Sequence, residues 1–340
     1  MHHAFLAALA VFTLSLNLVA VVLVWASTRQ LDIPNERSSH TVPTPRGGGI
    51  AIVLSAFAGL WVLWHGGHVA DSLALALAGA GGLVALIGFL DDRLNLPALP
   101  RLIAQLAAAC FAVLVIGGVP PVPVGGAMLV PGLAGTILAV IALGWLINLT
   151  NFMDGIDGLA GSHTLFVGAA GGALLIAAGE AGTGAFLILL GAAALGFLMF
   201  NWPPARIFMG DVSSGFIGLV AGTVAIATSD SVSLWAWGIL MTPFIADATV
   251  TRAMRVILYK DLFGAHRAHV YQRLSRRWGG HQPVVLAFWA LSLGAMLPLA
   301  LKAAHHPEDG WLILGITWAV AFAAAFLLGA GRDDEEIPSA

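Results

Sequence analysis

The sequence predicts an all-α protein, a polytopic integral membrane helical bundle of about 11 transmembrane helices with the N-terminus out and the C-terminus in. Three observations carry this. Of the 340 residues, 59% are hydrophobic and only 10% are charged, against about 25% charged in an ordinary soluble domain. Apolar runs recur from one end to the other, each near the roughly 17 to 25 residues that cross a ~30 Å hydrocarbon core as a helix. Lys and Arg are confined almost entirely to alternate loops between these runs.

The first run, 4–25, has no Lys or Arg before it and is too long for the apolar core of a signal peptide, so it reads as a span. Runs 48–65 and 72–90 follow, joined by a short loop near 66–71. "DDR" at 91–93 closes the third, and 102–118 and 128–147 flank the Gly- and Pro-rich segment 119–127. After "NLTNFMDGIDGLAG" at 148–161 come 162–179 and 183–200. "NWPPARIFMGDVSSG" at 201–215 leads into 215–229, a short and Gly-rich run, and 233–250. A polar stretch, 251–282, then precedes 284–302 and 311–329.

An odd number of spans places the termini on opposite sides. One set of loops holds Arg29, Arg37, Arg46, Arg93, Arg101, Arg206, Arg252, Arg255, Lys260, Arg267, Arg273, Arg276, Arg277 and Arg332, 14 of the 15 basic residues; the other holds Lys302. That set is the cytoplasmic one. The formal charge of -3 averages two unlike faces and says little about partners. Cys110 is the one cysteine and lies in an apolar run, so neither a disulfide framework nor a cysteine metal site is available. No repeat period appears, and 251–282 is too short for a domain of its own, so 1–330 reads as one membrane domain and 331–340 as an acidic disordered tail.

The outward loops are short and mostly Gly, Pro, Ala and His, whereas the inward loops carry nearly all the ionisable groups. A transporter places its working polar groups near mid-membrane. Here they lie at the cytoplasmic ends of spans, which points to a reaction between something soluble in the cytoplasm and something held in the bilayer. Asp91, Asp92, Asp154, Asp157 and Asp211 share that depth. Carboxylates with water and phosphate oxygens are the ligands of Mg²⁺, with Mn²⁺ as a substitute. A divalent ion bridging phosphates is the sharp reading of these five acids, against helix-end acids that simply meet water. Gly155, Gly158 and Gly210 flank three of them and let backbone amides approach an anion, at what can be helix N-termini.

His266 and His269 fall on one face if their loop is helical, with Arg273 one turn further. Arg267, Arg273, Arg276 and Arg277 make the same loop an anion site. Two histidines alone do not make a zinc site. His65, His68, His281, His305 and His306 read as bystanders, and Arg46, ahead of three glycines, as a phosphate contact or a topology anchor.

Taken in order, DDR at 91–93, NxxNFMDGIDGLAG at 148–161, FMGDVSSG at 208–215 and HRAH at 266–269 resemble the polyprenyl-phosphate N-acetylhexosamine-1-phosphate transferases, over about residues 30 to 275. That family includes phospho-MurNAc-pentapeptide translocases and GlcNAc-1-phosphate transferases. The resemblance implies transfer of a sugar-1-phosphate from a UDP-N-acetylhexosamine to undecaprenyl phosphate, with Mg²⁺ and release of UMP, at the cytoplasmic face of the bacterial inner membrane. It implies that Asp211 ligates the metal and that Asp91 and Asp92 serve the lipid phosphate or the metal. Asn151, Asp154 and Asp157 match the nucleotide and active-site loop, Asn201 and Phe208 match positions near the uracil, and His266 and His269 match a phosphate-holding histidine motif. Arg267 and Arg273, and Arg46 if it is a phosphate contact rather than a topology anchor, are the expected accompanying cations of the donor site. The family usually has Gly where Ser213 stands, and HRAH differs from the triple histidine of the MurNAc-pentapeptide enzymes. The implied donor is therefore UDP-GlcNAc or a 6-deoxy N-acetylhexosamine for O-antigen, exopolysaccharide or other envelope glycan assembly, with UDP-MurNAc-pentapeptide as the alternative. Direct attack by the lipid phosphate and an aspartyl-phosphate intermediate are both open, as is a homodimer. The lipid bilayer is the remaining partner and no nucleic acid is expected. A transporter, a membrane scaffold and a lipid-diphosphate hydrolase are the rival classes.

Overall fold

A computed structural model describes residues 2–33, 42–258 and 267–332. Among them the elements run α1 (His2–Ala26), β1 (Leu31–Asp32), β2 (Thr44–Pro45), α2 (Ile50–His65), α3 (Asp71–Leu94), α4 (Ala98–Val115), β3 (Val122–Val124), β4 (Ala127–Leu129), α5 (Gly132–Phe152), α6 (Leu159–Ala177) and α7 (Ala181–Asn201). They continue with α8 (Asp211–Ala227), α9 (Leu234–Leu240), α10 (Thr242–Ile257), α11 (Val270–Arg277), α12 (His281–Leu291), α13 (Leu297–His305) and α14 (Gly310–Leu327).

The chain is a polytopic helical membrane protein. Eight helical segments are long and apolar enough to cross a bilayer: α1, α3 to α7, α12 with α13, and α14. Each of the other three expected runs is also helical, but α2 and α8 are shorter apolar helices and 233–250 is divided between α9 and α10. The division falls at Met241, two residues before Pro243, which sits in the first turn of α10. Proline lacks an N–H and its ring clashes with the carbonyl four residues back, so a helix restarts there rather than running through. Pro298 occupies the same position in α13, and the π-helical turn Ser292–Met296 joins α12 to α13.

The centre of the bundle is α6, α7 and α8, buried along most of their length. In α8 every residue from Val212 to Ile226 is buried, as expected of a helix packed on all sides in a core. Glycines set how closely its neighbours approach, because between apolar helices in lipid it is backbone proximity that allows packing. A Cβ on Gly88 of α3 would lie 2.2 Å from the Asp211 carbonyl oxygen, and one on Gly218 of α8 would lie 2.3 Å from the Leu146 oxygen of α5. These two contacts pin the start of α8 beside the end of α3 and along α5.

Two small antiparallel pairs decorate the helices. β3 pairs with β4, Val122 opposite Leu129. β1 pairs with β2, Leu31 opposite Pro45, and the chain continues into a parallel bridge between Arg46 and Phe208. The second pair brings the segment before α2 onto the loop before α8, where the acids gather. Lys260, His266 and the acidic tail from 333 onward lie outside the described residues.

Candidate active site

Asp91 and Asp92 end α3 and Asp211 begins α8, so the close α3–α8 packing joins acids 119 positions apart. The Asp92 carboxylate accepts the backbone N–H of Asp211 at 3.1 Å and that of Val212 at 3.3 Å. The first amides of α8 have no carbonyl within the helix to bond, and a carboxylate there also meets the positive end of the helix dipole. Gly210 makes room: its φ is 82°, and a Cβ would come 2.7 Å from Asp92 Oδ2.

Two arginines stitch the three acids together. Arg46 Nη2 lies 2.5 Å from Asp211 Oδ1 and 3.0 Å from Asp92 Oδ1. Arg101 of α4 pairs with Asp91 and lies 3.7 Å from Asp211 Oδ2, while Asp91 also accepts the N–H of Leu96 at 2.8 Å. Burial works against the Arg46 charge, but the carboxylates of Asp211, Asp92, Asp32 and Asp154 outweigh it and hold the guanidinium above its ordinary pKa. Arg46 is placed by its own backbone. The amides of Gly47 and Gly48 donate to the Phe208 oxygen, that of Gly49 donates to the Met209 oxygen, and that of Phe208 donates to the Pro45 oxygen. A Cβ on Gly49 would fall 1.7 Å from Ser213 Oγ. Ser213 itself sits inside α8, where an ordinary residue is at home, and its side chain takes the space that Gly49 leaves.

The loop between α5 and α6 is fastened on every side. Asn151 donates to Ser214 Oγ at 3.1 Å. Asn201, buried at the end of α7, accepts the N–H of Gly158 and donates to the Ile207 oxygen, both at 2.9 Å. Asp157 accepts the N–H of Ala205 at 3.0 Å and lies 3.1 Å from His281 Nδ1. A Cβ on Gly155 would lie 2.0 Å from the hydroxyl of Tyr271, which donates to the Phe152 oxygen. Asp154 is held well above the usual carboxylate range, chiefly by burial and then by Asp211 and Asp92, with Arg46 and an N–H from Gly210 acting in the opposite sense.

These parts enclose a polar cavity of about 250 Å³. Arg46, Asp211, Gly210, Phe208 and Asp32 line one side; Asn151, the stretch from Asp154 to Asp157, Asn201, Gln272 and His281 line the rest. Of the residues singled out in the sequence, Asn151, Asp154, Asp157, Asn201, Phe208, Arg46 and Asp211 meet here. Asp92 and Asp91 stand behind Asp211, through the contacts above.

The histidine loop is arranged differently. His269 is the residue before α11, and its Nδ1 lies 3.1 Å from Asp247 Oδ1. Asp247, on α10, also accepts the N–H groups of Val270 and Tyr271 and the hydroxyl of Thr251. His269 is buried and does not line the cavity. Arg273 is buried too and donates to the Arg332 oxygen at 2.9 Å, and the Arg267 carbonyl accepts from Arg276. From α11 it is Gln272 that reaches the cavity.

Sequence reasoning passed over Asp32, Arg101, Asp247, Gln272 and His281. Asp247 carried a readable signal, since an ionisable residue inside an apolar run is a functional candidate by default. Arg101 was legible only as a topology marker, and Gln272 and His281 only as lone polar residues.

Residues 73–229 match the model of glycosyl transferase family 4. The chain is 30% identical to a decaprenyl-phosphate N-acetylglucosaminephosphotransferase of Mycolicibacterium smegmatis over 90% of its own length and 84% of the relative's. It is 31% identical to a phospho-N-acetylmuramoyl-pentapeptide-transferase of Rhodopseudomonas palustris, covering 76% and 78% of the two chains. A probable undecaprenyl-phosphate N-acetylglucosaminyl 1-phosphate transferase of Bacillus subtilis is 26% identical over 81% and 78%. Four ordered motifs, one acid-lined cavity and this likeness across most of the chain agree: the protein belongs to glycosyl transferase family 4 and is a sugar-phosphate transferase.

Proposed function

We propose that the protein transfers a sugar-1-phosphate from a UDP-N-acetylhexosamine, GlcNAc or a 6-deoxy N-acetylhexosamine, to undecaprenyl phosphate and releases UMP. The reaction takes place at the cytoplasmic face of the bacterial inner membrane and begins assembly of an envelope glycan. Residues 1–330 act as one catalytic membrane domain. The chain crosses the bilayer eleven times, α2, α8 and the α9–α10 pair included, with the N-terminus out. The distribution of 14 of 15 basic residues supports that orientation.

The observation that carries the reading is the Arg46–Asp211–Asp92 cluster at the mouth of α8, facing the 154–157 loop across one cavity. Its donor set suits a divalent cation. Two carboxylates converge on a single guanidinium nitrogen within 3.0 Å, and Mg²⁺ takes one or two protein carboxylates and completes its shell from phosphate and water. Among the described residues no group of three or more His, Cys, Asp or Glu is placed to hold a metal ion by itself, so the remaining ligands would have to come from phosphate and water. Asp211, with Asp92, would hold Mg²⁺ or Mn²⁺, which when bound neutralises the diphosphate and eases departure of UMP.

The chain's own residues do the rest. A phosphate monoester with a second pKa of about 6 is already mostly dianionic at neutral pH, so the acceptor needs little help from a base. An acceptor oxygen forms the new bond to the sugar-bearing phosphorus as that phosphorus parts from the UMP oxygen. Arg46, held by the Phe208–Met209 backbone, stabilises charge developing on the phosphates. Arg101, paired with Asp91 outside the cavity lining, suits the lipid phosphate. Asn151, Asp154 and Asp157 place the nucleotide, and Asn201 keeps their loop in position.

The test is a donor panel. Purified protein with undecaprenyl phosphate and Mg²⁺ should give a lipid-linked sugar diphosphate from one UDP-N-acetyl sugar, identified by mass. A product from UDP-MurNAc-pentapeptide alone would reassign the donor, and inorganic phosphate in place of UMP would indicate a hydrolase.

A further inference from the structure

His281 opens α12 directly after Gly279 and Gly280, and nothing in its sequence surroundings marks it. In the fold it lines the cavity, and its Nδ1 faces one residue twice. The Asp157 carboxylate oxygen is 3.1 Å from that nitrogen and the Asp157 backbone nitrogen is 3.3 Å from it. A protonated Nδ1 donates to the carboxylate; an unprotonated one accepts from the backbone N–H. The imidazole therefore has an Asp157 partner whether its Nδ1 donates or accepts. Asp157 also accepts the N–H of Ala205 through the same oxygen, so this side chain ties the α5–α6 loop, the segment after α7 and the start of α12 to one point. His281 lies beyond the 73–229 stretch that matches the family model.

We propose that His281 is a positioning residue for the UDP-sugar, acting through Asp157 to hold the 154–158 loop as the donor-side wall of the cavity. This rests on the transfer reaction proposed above. The acceptor-side groups bond elsewhere, Asp91 to Leu96 and Arg101 and Arg101 to Asp91 and Asp211, so the effect should fall on one substrate. The other account of the same geometry is a tie that steadies the start of α12 and does nothing for the donor.

The experiment is steady-state UMP release by the full-length protein, varying donor and lipid acceptor separately, for wild type, His281→Ala, His281→Asn, His281→Gln, Asp157→Asn and the His281→Ala/Asp157→Asn double variant. Wild-type turnover establishes the reaction itself, so a failure among the variants is a failure of this inference alone. His281→Ala should raise the donor KM about tenfold, the scale of one lost hydrogen bond to a charged group, and leave the acceptor KM unchanged. Asn offers its polar group near the Nδ1 position and should restore most of the loss; Gln offers its own near Nε2 and should not. The double variant should be no worse than the poorer single one, as for two residues acting as a unit. An unchanged donor KM in His281→Ala, Asn and Gln variants that behave alike, or single effects that multiply in the double variant, would each overturn the proposal. If the alanine variant does not fold, the contrast between Asn and Gln decides.

Discussion

Arg46 Nη2 sits 2.5 Å from Asp211 Oδ1 and 3.0 Å from Asp92 Oδ1, joining the segment before α2 to the helix that begins at Asp211. The guanidinium is the positive centre around which the acid cluster is built. Arg46→Ala should lower kcat by about 10²- to 10³-fold, the cost of removing one preorganised charge-stabilising donor. Arg46→Lys keeps the charge and loses the planar fork, so its activity should fall between the two. Initial rates of UMP release at saturating substrates measure this.

The contact between Gly49 and Ser213 gives a prediction with a rescue. Gly49→Ala would bring a methyl group to 1.7 Å from Ser213 Oγ, and relieving it moves Arg46 away from Asp211. Overpacking of this kind costs about 1–3 kcal/mol, and activity should drop at least as steeply as the thermal midpoint. Adding Ser213→Gly removes the nearest atoms and should recover part of both, leaving the Met209 oxygen at 2.8 Å as the residual strain. Equal losses in the single and double variants would show that this packing does not position Arg46.

Asp154 yields a pH dependence whose sign follows from its raised pKa. The folded protein retains that proton at pH values where the unfolded chain, titrating at about 3.9, has released it. More protons bound in the native state means that stability falls as pH rises above about 4 until Asp154 ionises in the fold. Asp154→Asn removes the titration. Without divalent metal it should therefore be more thermostable than wild type at pH 8, with the difference shrinking toward pH 5, and with lipid and metal supplied it should be poorly active. A stability gain independent of pH would contradict the assignment.

Asp247 accepts four hydrogen bonds, from His269, Val270, Tyr271 and Thr251. Asp247→Ala takes the acceptor from the amides of Val270 and Tyr271 at the start of α11, at about 1–3 kcal/mol for each unsatisfied group. It should lower the thermal midpoint and detach α11, and with it Gln272, from the cavity. Thr251→Ala removes one donor and should cost far less. Thermal unfolding in detergent with parallel UMP assays separates the two variants.

Much of this was legible in the chain. Apolar runs and basic loops gave the helical membrane character, because length and charge sorting in a bilayer depend on composition more than on tertiary contacts. Asp211, Asp154 and Arg46 stand beside glycines that announce close backbone approach, and they meet in the cavity. The break at Met241 and the π-helical turn before Pro298 lay inside runs that read as continuous, because hydropathy ignores the missing proline N–H. His266 and His269 were paired on the premise of a helix through both, but α11 begins at Val270, so His269 is a cap bound to Asp247. His281 could not have been read, since its partner is 124 positions away and its own neighbours carry no pattern.

The most direct measurement is UMP release by purified wild type and Asp211→Asn, each shown to be folded, with and without undecaprenyl phosphate and with and without Mg²⁺. Wild type should give UMP and lipid-linked sugar diphosphate in equal amounts, only when lipid and divalent metal are both present, and Asp211→Asn should lose both products. Acceptor-independent UMP release, or full activity in Asp211→Asn, would mean that the sugar-phosphate does not change partners at this acid cluster.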